Sequence, residues 1–443
     1  MISLAGTALG YACTVPNPEY CNDTNRQTCD DGFVCDLSLN RCVNKPDAAL
    51  AAIDASNPGI DALGGDPDAA LPTEPPVTNG QPADRIIGQP DFSSGAENNG
   101  GESNRSLAYC SDVATAGDRL WVSDGGNARV LQWNSLPLLD FAAADVVLGQ
   151  ASFNSHVVGP TRILLTQESF PTVNTRNAVF SDGTRILVAD SKANRVLIWT
   201  SPAAMNAGEP ADLVLGQTSF TASSPGLGPG GLDGPRGGWT DGTTLIVADS
   251  GNARVLVWDV FPSVDGAPAD RVLGQSDFDT KGAPFPPTAA STGTPSDAFY
   301  DGERLYVADP GSNRVMIWDS MPLANGPPAD VIVGQPGPSS GQPNAGGEGP
   351  NDIGLDSPTS VHVASGSLFI TDMLNSRVVV HTPVPTTDGE AADAVLGQAG
   401  FTSNAMTTTA DGLYLPDGVA SAGTALFVCD RWNSRVLRYR LSP

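Results

Sequence analysis

Six aspartate–arginine pairs are the residues best placed to do chemistry. The partners stand five apart in every case: Asp124/Arg129, Asp190/Arg195, Asp249/Arg254, Asp309/Arg314, Asp372/Arg377 and Asp430/Arg435. Asparagine accompanies them at Asn127, Asn252, Asn375 and Asn433, and one residue later at Asn194 and Asn313. A carboxylate and a guanidinium held together can recognise a charged ligand or tune a catalytic group. Sixfold recurrence argues for framework instead, because an active site needs one special set. Asp and Asn side chains bond turn amides, and Arg pairs with a carboxylate or packs its stem between sheets.

Other chemistry is sparse. Of the three histidines, His156 falls in a loop. His362 lies where other units carry Phe180, Trp239 and Phe299, and His381 fills a slot otherwise held by Trp. That distribution does not build a histidine metal centre. The glutamates beyond residue 84 sit in loops or turns. Asp112, Asp297, Asp352 and Asp417 remain as an oxygen-only calcium set. No nucleophile elbow, P-loop or dinucleotide fingerprint is present.

The elements that position these residues are short strands. Around each pair runs a version of Leu245–Trp258, LIVADSGNARVLVW. In the third unit the spacing predicts strands a (235–241), b (244–249), c (253–259) and d (270–275), each β-branched and bounded by turn residues. Asp-Gly at Asp182, Asp241 and Asp301 suits the tight a-to-b turn. Trp133, Trp199, Trp258 and Trp318, with His381 and Tyr439 in the last two units, read as packing between sheets. Strand d carries Gly-Gln-x-x-Phe, as in Gly274-Gln275 with Phe278; the copy at Gly334-Gln335 lacks the Phe. The Gly suits close backbone approach, and the Gln is expected to bond across to the next sheet.

Strand order then fixes the architecture. The first d strand, Asp84–Gln89, precedes every a–b–c set, and the last set has no d strand after it. Only a closed ring satisfies both ends. The expectation is an all-β, six-bladed β-propeller whose N-terminal d strand completes the last blade. The b-to-c turns and the long d-to-a loops share one face, and that face is where function is expected.

Composition narrows the class further. Net charge is −26, which disfavours nucleic acid and anionic membrane, since phosphate binding needs clustered Lys and Arg. No apolar run reaches transmembrane length. Residues 1–12 resemble the end of a secretory signal without a basic start. Cys13 follows as a candidate lipidation site, against ordinary cleavage or a disulfide. Five cysteines fall between Cys13 and Cys42, so residues 13–43 read as a small disulfide segment in an oxidising compartment. Zinc is the competing reading but prefers close C-x2-C pairs. Cys21, Cys29, Cys35 and Cys42 admit three pairings. Residues 44–83, rich in Pro, Ala and Asp, read as a disordered linker, and 84–443 as the propeller.

The a–b–c sets closely resemble NHL repeats, on Pro416–Val419 and on VAD-x2-N-x-R-V as in Val247–Val255. The resemblance covers residues 84–443. It implies an NHL-type six-bladed propeller of a secreted or lipoprotein-like bacterial subgroup. The expected role is an extracytoplasmic module, monomeric, that binds a protein or small extracellular ligand. Membrane contact is expected only through a lipid anchor, and no cofactor is expected. The alternative it implies is a calcium-assisted lyase or lactonase-like hydrolase at the channel mouth. Cys110 takes the slot that Pro holds in units three to six, and Cys429 ends strand b of unit six. A bridge between them would latch the ring where it closes, provided the Cα atoms lie within about 7 Å.

Overall fold

The computed structural model describes the strand pair 33–36 and 41–44, and residues 74–167, 176–201 and 205–442. Expectations for residues 1–12, Cys13, Cys21 and Cys29 lie outside these, as does most of the linker. The first unit is a short antiparallel hairpin, Phe33–Asp36 with Arg41–Asn44, whose register sets Cys35 opposite Cys42.

The second unit holds six four-stranded antiparallel sheets. Blade 1 runs Cys110–Ala116, Arg119–Asp124, Arg129–Trp133 and Val146–Leu148 as strands a to d. The strands a of blades 2 to 6 are Asn177–Ser181, Pro235–Thr240, Asp297–Tyr300, Pro358–Ala364 and Pro416–Ala422. Blade 6 takes its fourth strand from the other end of the chain: Arg85–Ile87 pairs with Arg435–Arg440, Ile87 opposite Val436. That closure is the one expected from strand order, and it makes the fold a six-bladed β-propeller.

The core lies between blades. Six clusters of buried apolar residues each draw mainly on two neighbouring sheets; Trp121 and Val130 of blade 1, for example, pack with Val188 and Leu197 of blade 2. Strands b and c are buried along their whole length in most blades, so they read as continuous apolar runs. Each fully buried Val, Leu or Ile contributes about 1.5–3 kcal/mol.

One device was not anticipated. The outer edge of strand d is capped by the c-to-d turn of the next blade. Val272 and Ile332 donate their amides to Asn325 and Asp388 side chains, while Gly326 and Gly389 donate to the Val272 and Ile332 carbonyls. This hides edges that would otherwise pair with another chain. The N-terminal segment serves blade 5 in the same way, through Asn79 and Gly80 on Val395. Val77 is buried beside Leu441. The ring's packing therefore starts near residue 76, inside the stretch assigned to the linker.

Candidate functional site

The repeated side chains form the roots of the upper face, the one carrying b-to-c turns and d-to-a loops. In blade 3, Arg254 Nε donates to Asp249 Oδ2 at 2.7 Å. Its Nη1 donates to the Phe278 carbonyl at 2.6 Å, and Nη2 to the Gly228 and Gly231 carbonyls, each at 2.9 Å. Asp249 Oδ1 accepts the Asp233 amide at 2.7 Å, and Oδ2 accepts Asn252 Nδ2 at 2.8 Å.

The other five units repeat this arrangement with fully buried partners. Arg129 pairs with Asp124, and Arg435 with Asp430. Arg195 lies 2.7 Å from Asp190 and donates to the Thr161 and Leu164 carbonyls at 3.0 and 2.9 Å. Arg314 is the loosest, 3.2 Å from Asp309, and donates to the Pro338, Thr288 and Ser291 carbonyls at 2.9, 3.0 and 2.6 Å. Arg377 lies 2.7 Å from Asp372 and donates to the Phe401 and Gly354 carbonyls at 2.7 and 2.9 Å. Buried charges are tolerable only when every donor and acceptor is met. Each arginine spends its donors on one aspartate and two successive long loops, and its burial keeps it away from a ligand at the surface. Burial pushes the Asp249 carboxyl up to about 6 against the opposing pull of Arg254.

The late asparagines have a reason. Asn194 and Asn313 occupy the left-handed turn position, at φ 53° and 51°. Asn194 bonds the Ser223 carbonyl and the Gly234 amide, and Asn313 the Gly341 carbonyl and the Ser357 amide. The expectation for the Gly-Gln glutamine is corrected. Gln275 Nε2 donates to Ala253 at 2.8 Å and Gly282 at 2.9 Å, the turn of its own blade and the loop that it starts. The preceding glycine is obligatory where φ is positive and space is absent: at Gly397, φ is +83° and a Cβ would lie 2.5 Å from Leu413 Cδ1.

Rigid roots leave the loop crowns exposed. Val157 (55%), Leu227 (40%), Phe285 (78%) and Met406 (53%) project from four different d-to-a loops. A shallow cleft lies between the Val157 loop and the d-to-a loop that enters blade 1, lined by Ser103, Asn104, Ser152, Phe153 and Asn154. His156 and Glu102, 2.7 Å apart, join the same two loops.

The calcium set meets a different fate. Asp112, Asp297 and Asp417 do converge in the central channel, but around the guanidinium of Arg176. Its Nη2 is 2.6 Å from Asp112 Oδ1, and its Nε is 3.5 Å from Asp417 Oδ1. Arg176 also donates to the Ser111 carbonyl of blade 1 at 3.0 Å and the Thr359 carbonyl of blade 5 at 2.6 Å. Asp297 accepts Ser360 Oγ at 2.6 Å and the Val361 amide at 3.3 Å. Asp417 takes a second arginine, Arg431. Asp352 is exposed in a loop, its carbonyl accepting the Ala392 amide. These residues do not fit a calcium ion, because Arg176 supplies positive charge where the cation would sit. Among the described residues, no group of three or more His, Cys, Asp or Glu is arranged for a metal.

The layer has a structural logic. Each strand a turns an edge toward the channel, and side chains of neighbouring blades satisfy it. Val179 donates its amide to Asp112 Oδ2 and Val419 to Ser360 Oγ, while Ser296 Oγ donates to the Thr359 carbonyl. Two glycines let the blades approach this closely: a Cβ on Gly418 would lie 2.3 Å from Asp112 Oδ1, and one on Gly237 2.5 Å from the Ser296 carbonyl. Burial pushes the Asp112 carboxyl up to about 7; Arg176 opposes this, and Asp297 and Asp417 add to it.

The histidines are structural acceptors and donors. His362 Nε2 accepts the Ser421 amide at 3.2 Å, which puts the ring proton on Nδ1. Burial holds its pKa down to about 4. His381 bonds the Ala391 backbone, as Trp258 Nε1 bonds the Ala267 carbonyl at 3.0 Å, so it replaces an indole donor. Its Nδ1 is buried without a partner.

Cys110 and Cys429 form a disulfide with Cα atoms 5.9 Å apart. It joins strand a of blade 1 to strand b of blade 6. The ring is thus fastened twice at one seam, by the N-terminal strand and by a covalent latch.

These features define a six-bladed β-propeller with a latched seam and an arginine across its channel. No protein-family model matches the chain, and no curated protein matches it. Solved structures similar to it include a nidogen/laminin complex (TM-score 0.36, 13% identity, covering 65% of this chain and 83% of that one). A protein of unknown function from Bacteroides thetaiotaomicron is similar at TM-score 0.42 and 13% identity, covering 82% and 76%. A streptogramin B lyase is similar at TM-score 0.38 and 10% identity, covering 77% and 97%.

Proposed function

We propose that the chain is an NHL-type propeller working outside the cytoplasm as a binding or scaffolding module. It engages a protein or a small extracellular ligand through the face of the d-to-a loops. The observation that carries this reading is the set of exposed apolar crowns, Val157, Leu227, Phe285 and Met406, on loops whose roots are pinned by Arg, Asp and Gln. Exposed apolar side chains on rigidly rooted loops mark interaction surfaces; those on the c-to-d turns, Leu138, Leu139, Val260, Val264 and Leu323, sit on turns that already cap a neighbouring strand d. The Cys110–Cys429 disulfide supports an oxidising compartment.

The test is a photo-crosslinking amino acid placed at Phe285 or Leu227, with Val260 on a c-to-d turn as the control. Adducts identified by mass spectrometry are expected from the first two positions. Adducts only at Val260, or the same adducts at all three, would overturn the assignment of the face.

A further inference from the structure

Below the Arg176 layer, toward the a-to-b turns, the inner strands change character. One rung of the six strands a is occupied in turn by Ala114, Phe180, Trp239, Phe299, His362 and Ala420, set by their partners in strands b. Four consecutive blades thus present rings, and two present methyl groups. Trp239 of blade 3 and Tyr300 of blade 4 meet at 5.3 Å with planes at 81°, both half-buried. They form a right-angled corner at the lower ends of the two inner strands, packed against the apolar cluster between blades 3 and 4. The Tyr300 hydroxyl is pinned by the Gly302 carbonyl at 2.9 Å. Phe180 packs against the same stretch of blade 3, since a Cβ on Gly238 would lie 3.2 Å from its Cζ.

The charge around this corner is negative. Asp241 and Asp301 stand at the adjoining a-to-b turns, with Glu303 beside them. After burial, these three carboxylates are what raise the Tyr300 hydroxyl above its usual range, which places their field on the corner. The arginines of the rim have partners of their own: Arg185 pairs with Asp182 at 2.6 Å, lies over the Phe261 ring and donates to the Gly242 carbonyl at 3.3 Å, and Arg304 pairs with Asp319 at 3.4 Å. His362, facing Phe299 at 4.6 Å, accepts an amide and so stays neutral.

We propose that the Trp239–Tyr300 corner binds a free, small organic cation of the quaternary ammonium type. Its methyl groups lie against the two ring faces, and Asp241, Asp301 and Glu303 balance its charge. Ring faces attract cations through their quadrupole, most strongly when the cation is partly desolvated. An overall charge of −26 draws cations toward the molecule and repels anions. A neutral apolar ligand would use the rings but leave the carboxylates unused. This site lies on the face opposite the loop crowns and is independent of their role.

The probe is choline, titrated into the full chain by calorimetry, with 3,3-dimethylbutan-1-ol as its uncharged isostere. Saturable one-site binding of choline is expected, at least about tenfold tighter than the isostere. Trp239→Ala should weaken choline binding by at least about tenfold. Asp241→Asn with Glu303→Gln leaves both rings in place and covers the case in which the tryptophan variant fails to fold; it should weaken choline and leave the isostere unchanged. Equal affinity for the two probes, no saturation by about 20 mM choline, or full affinity in both variants would overturn the proposal. Phosphatidylcholine vesicles distinguish a bilayer headgroup from the free cation. The chain is expected to stay in solution; sedimentation that choline reverses assigns the corner to a headgroup, and sedimentation that choline leaves unchanged counts against the site.

Discussion

Arg176→Met removes the charge at the centre of the channel layer while keeping a long apolar stem. In the native protein that guanidinium holds Asp112 at 2.6 Å and the Ser111 and Thr359 carbonyls at 3.0 and 2.6 Å, all buried. Breaking a buried ion pair from one side costs about 3–5 kcal/mol. The protein can lower that cost by taking up a proton, since an uncompensated buried carboxylate neutralises. Asp112 already titrates near 7 in the native fold, at about 7. A carboxyl whose folded pKa is raised keeps a proton that the unfolded chain releases above about 3.8, so its contribution to stability falls as pH rises from there through the folded value. Removing Arg176 moves the upper end of that window further up. The pH-dependent part of the Arg176→Met penalty should therefore be small near pH 5 and grow by about 1.4 kcal/mol for each pH unit above about 7, until the variant's own higher value is passed. Chemical unfolding at pH 5, 7 and 8 measures it. Adding Asp112→Asn at pH 8 should recover about 1.5 kcal/mol or more, as coupling between contacting residues. A penalty below about 1 kcal/mol at pH 8, or one that does not change with pH, would refute the role assigned to Arg176.

Three further outcomes are expected. Gln150→Ala strips donors from the Ala128 and Val157 carbonyls and should cost roughly 1–3 kcal/mol; an unchanged thermal midpoint would remove glutamine from the framework. A non-reduced digest should yield a Cys110–Cys429 linked peptide, and Cys110→Ser with Cys429→Ser should lower stability by about 2–4 kcal/mol; free thiols at both positions would end that assignment. His381 is held neutral down to about pH 4, whereas the unfolded chain protonates it near 6.5, so its folded state loses stability as pH falls from 6.5 to about 4 and loses nothing above. His381→Trp restores the indole of four other blades and should flatten that acid limb, by about 2 kcal/mol at pH 5; an acid limb of unchanged slope would place the loss elsewhere.

Much of the ring is legible in the sequence, because it is written in repetition. The period of the Asp–Arg pairs defined the unit, and the misplaced d strands defined the closure. Cys110 stands out as a departure from the proline slot, and Cys429 by its place at the end of strand b of the last unit. The limits of that reading have physical causes. Recurrence marks Arg195, Arg314 and Arg377 as framework, and half of each bridge is in the repeat, since the Phe carbonyl of Gly-Gln-x-x-Phe accepts Nη1 in five units; the other half, the carbonyls of the preceding loop, lies in segments without a repeated sequence. Gln275 bonds its own turn rather than the next blade because Gly274, at φ +82°, turns the chain back toward it; a sequence shows the Gly but not the direction. Asp112, Asp297 and Asp417 do share the channel, but their counter-ion is Arg176 and not calcium. The missing partner, Arg176, was visible in principle. Three residues before the strand-a position that faces the middle of strand b, other units hold Cys110, Pro235, Pro295, Pro358 or Pro416, and this unit alone holds a charge.

The departures also explain one another. Blades 1, 3, 5 and 6 open strand a with a bulge, between Cys110 and Asp112, Pro235 and Gly237, Pro358 and Ser360, and Pro416 and Val419. Blades 2 and 4 pair without one. A bulge turns the start of the strand and makes local room, and the two blades that lack it are those that supply Arg176 and Asp297. The bulged blades contribute charge as well, Asp112 from blade 1 and Asp417 from blade 6, and the inner strands approach most closely at Gly237 and Gly418. The channel layer is therefore a consequence of broken symmetry, not an ornament on a symmetric ring. The same reasoning applies one rung lower, where Ala114 and Ala420 interrupt the aromatic series. A repeat can specify the scaffold only by being uniform, so selectivity for any ligand must come from positions that the repeat leaves free.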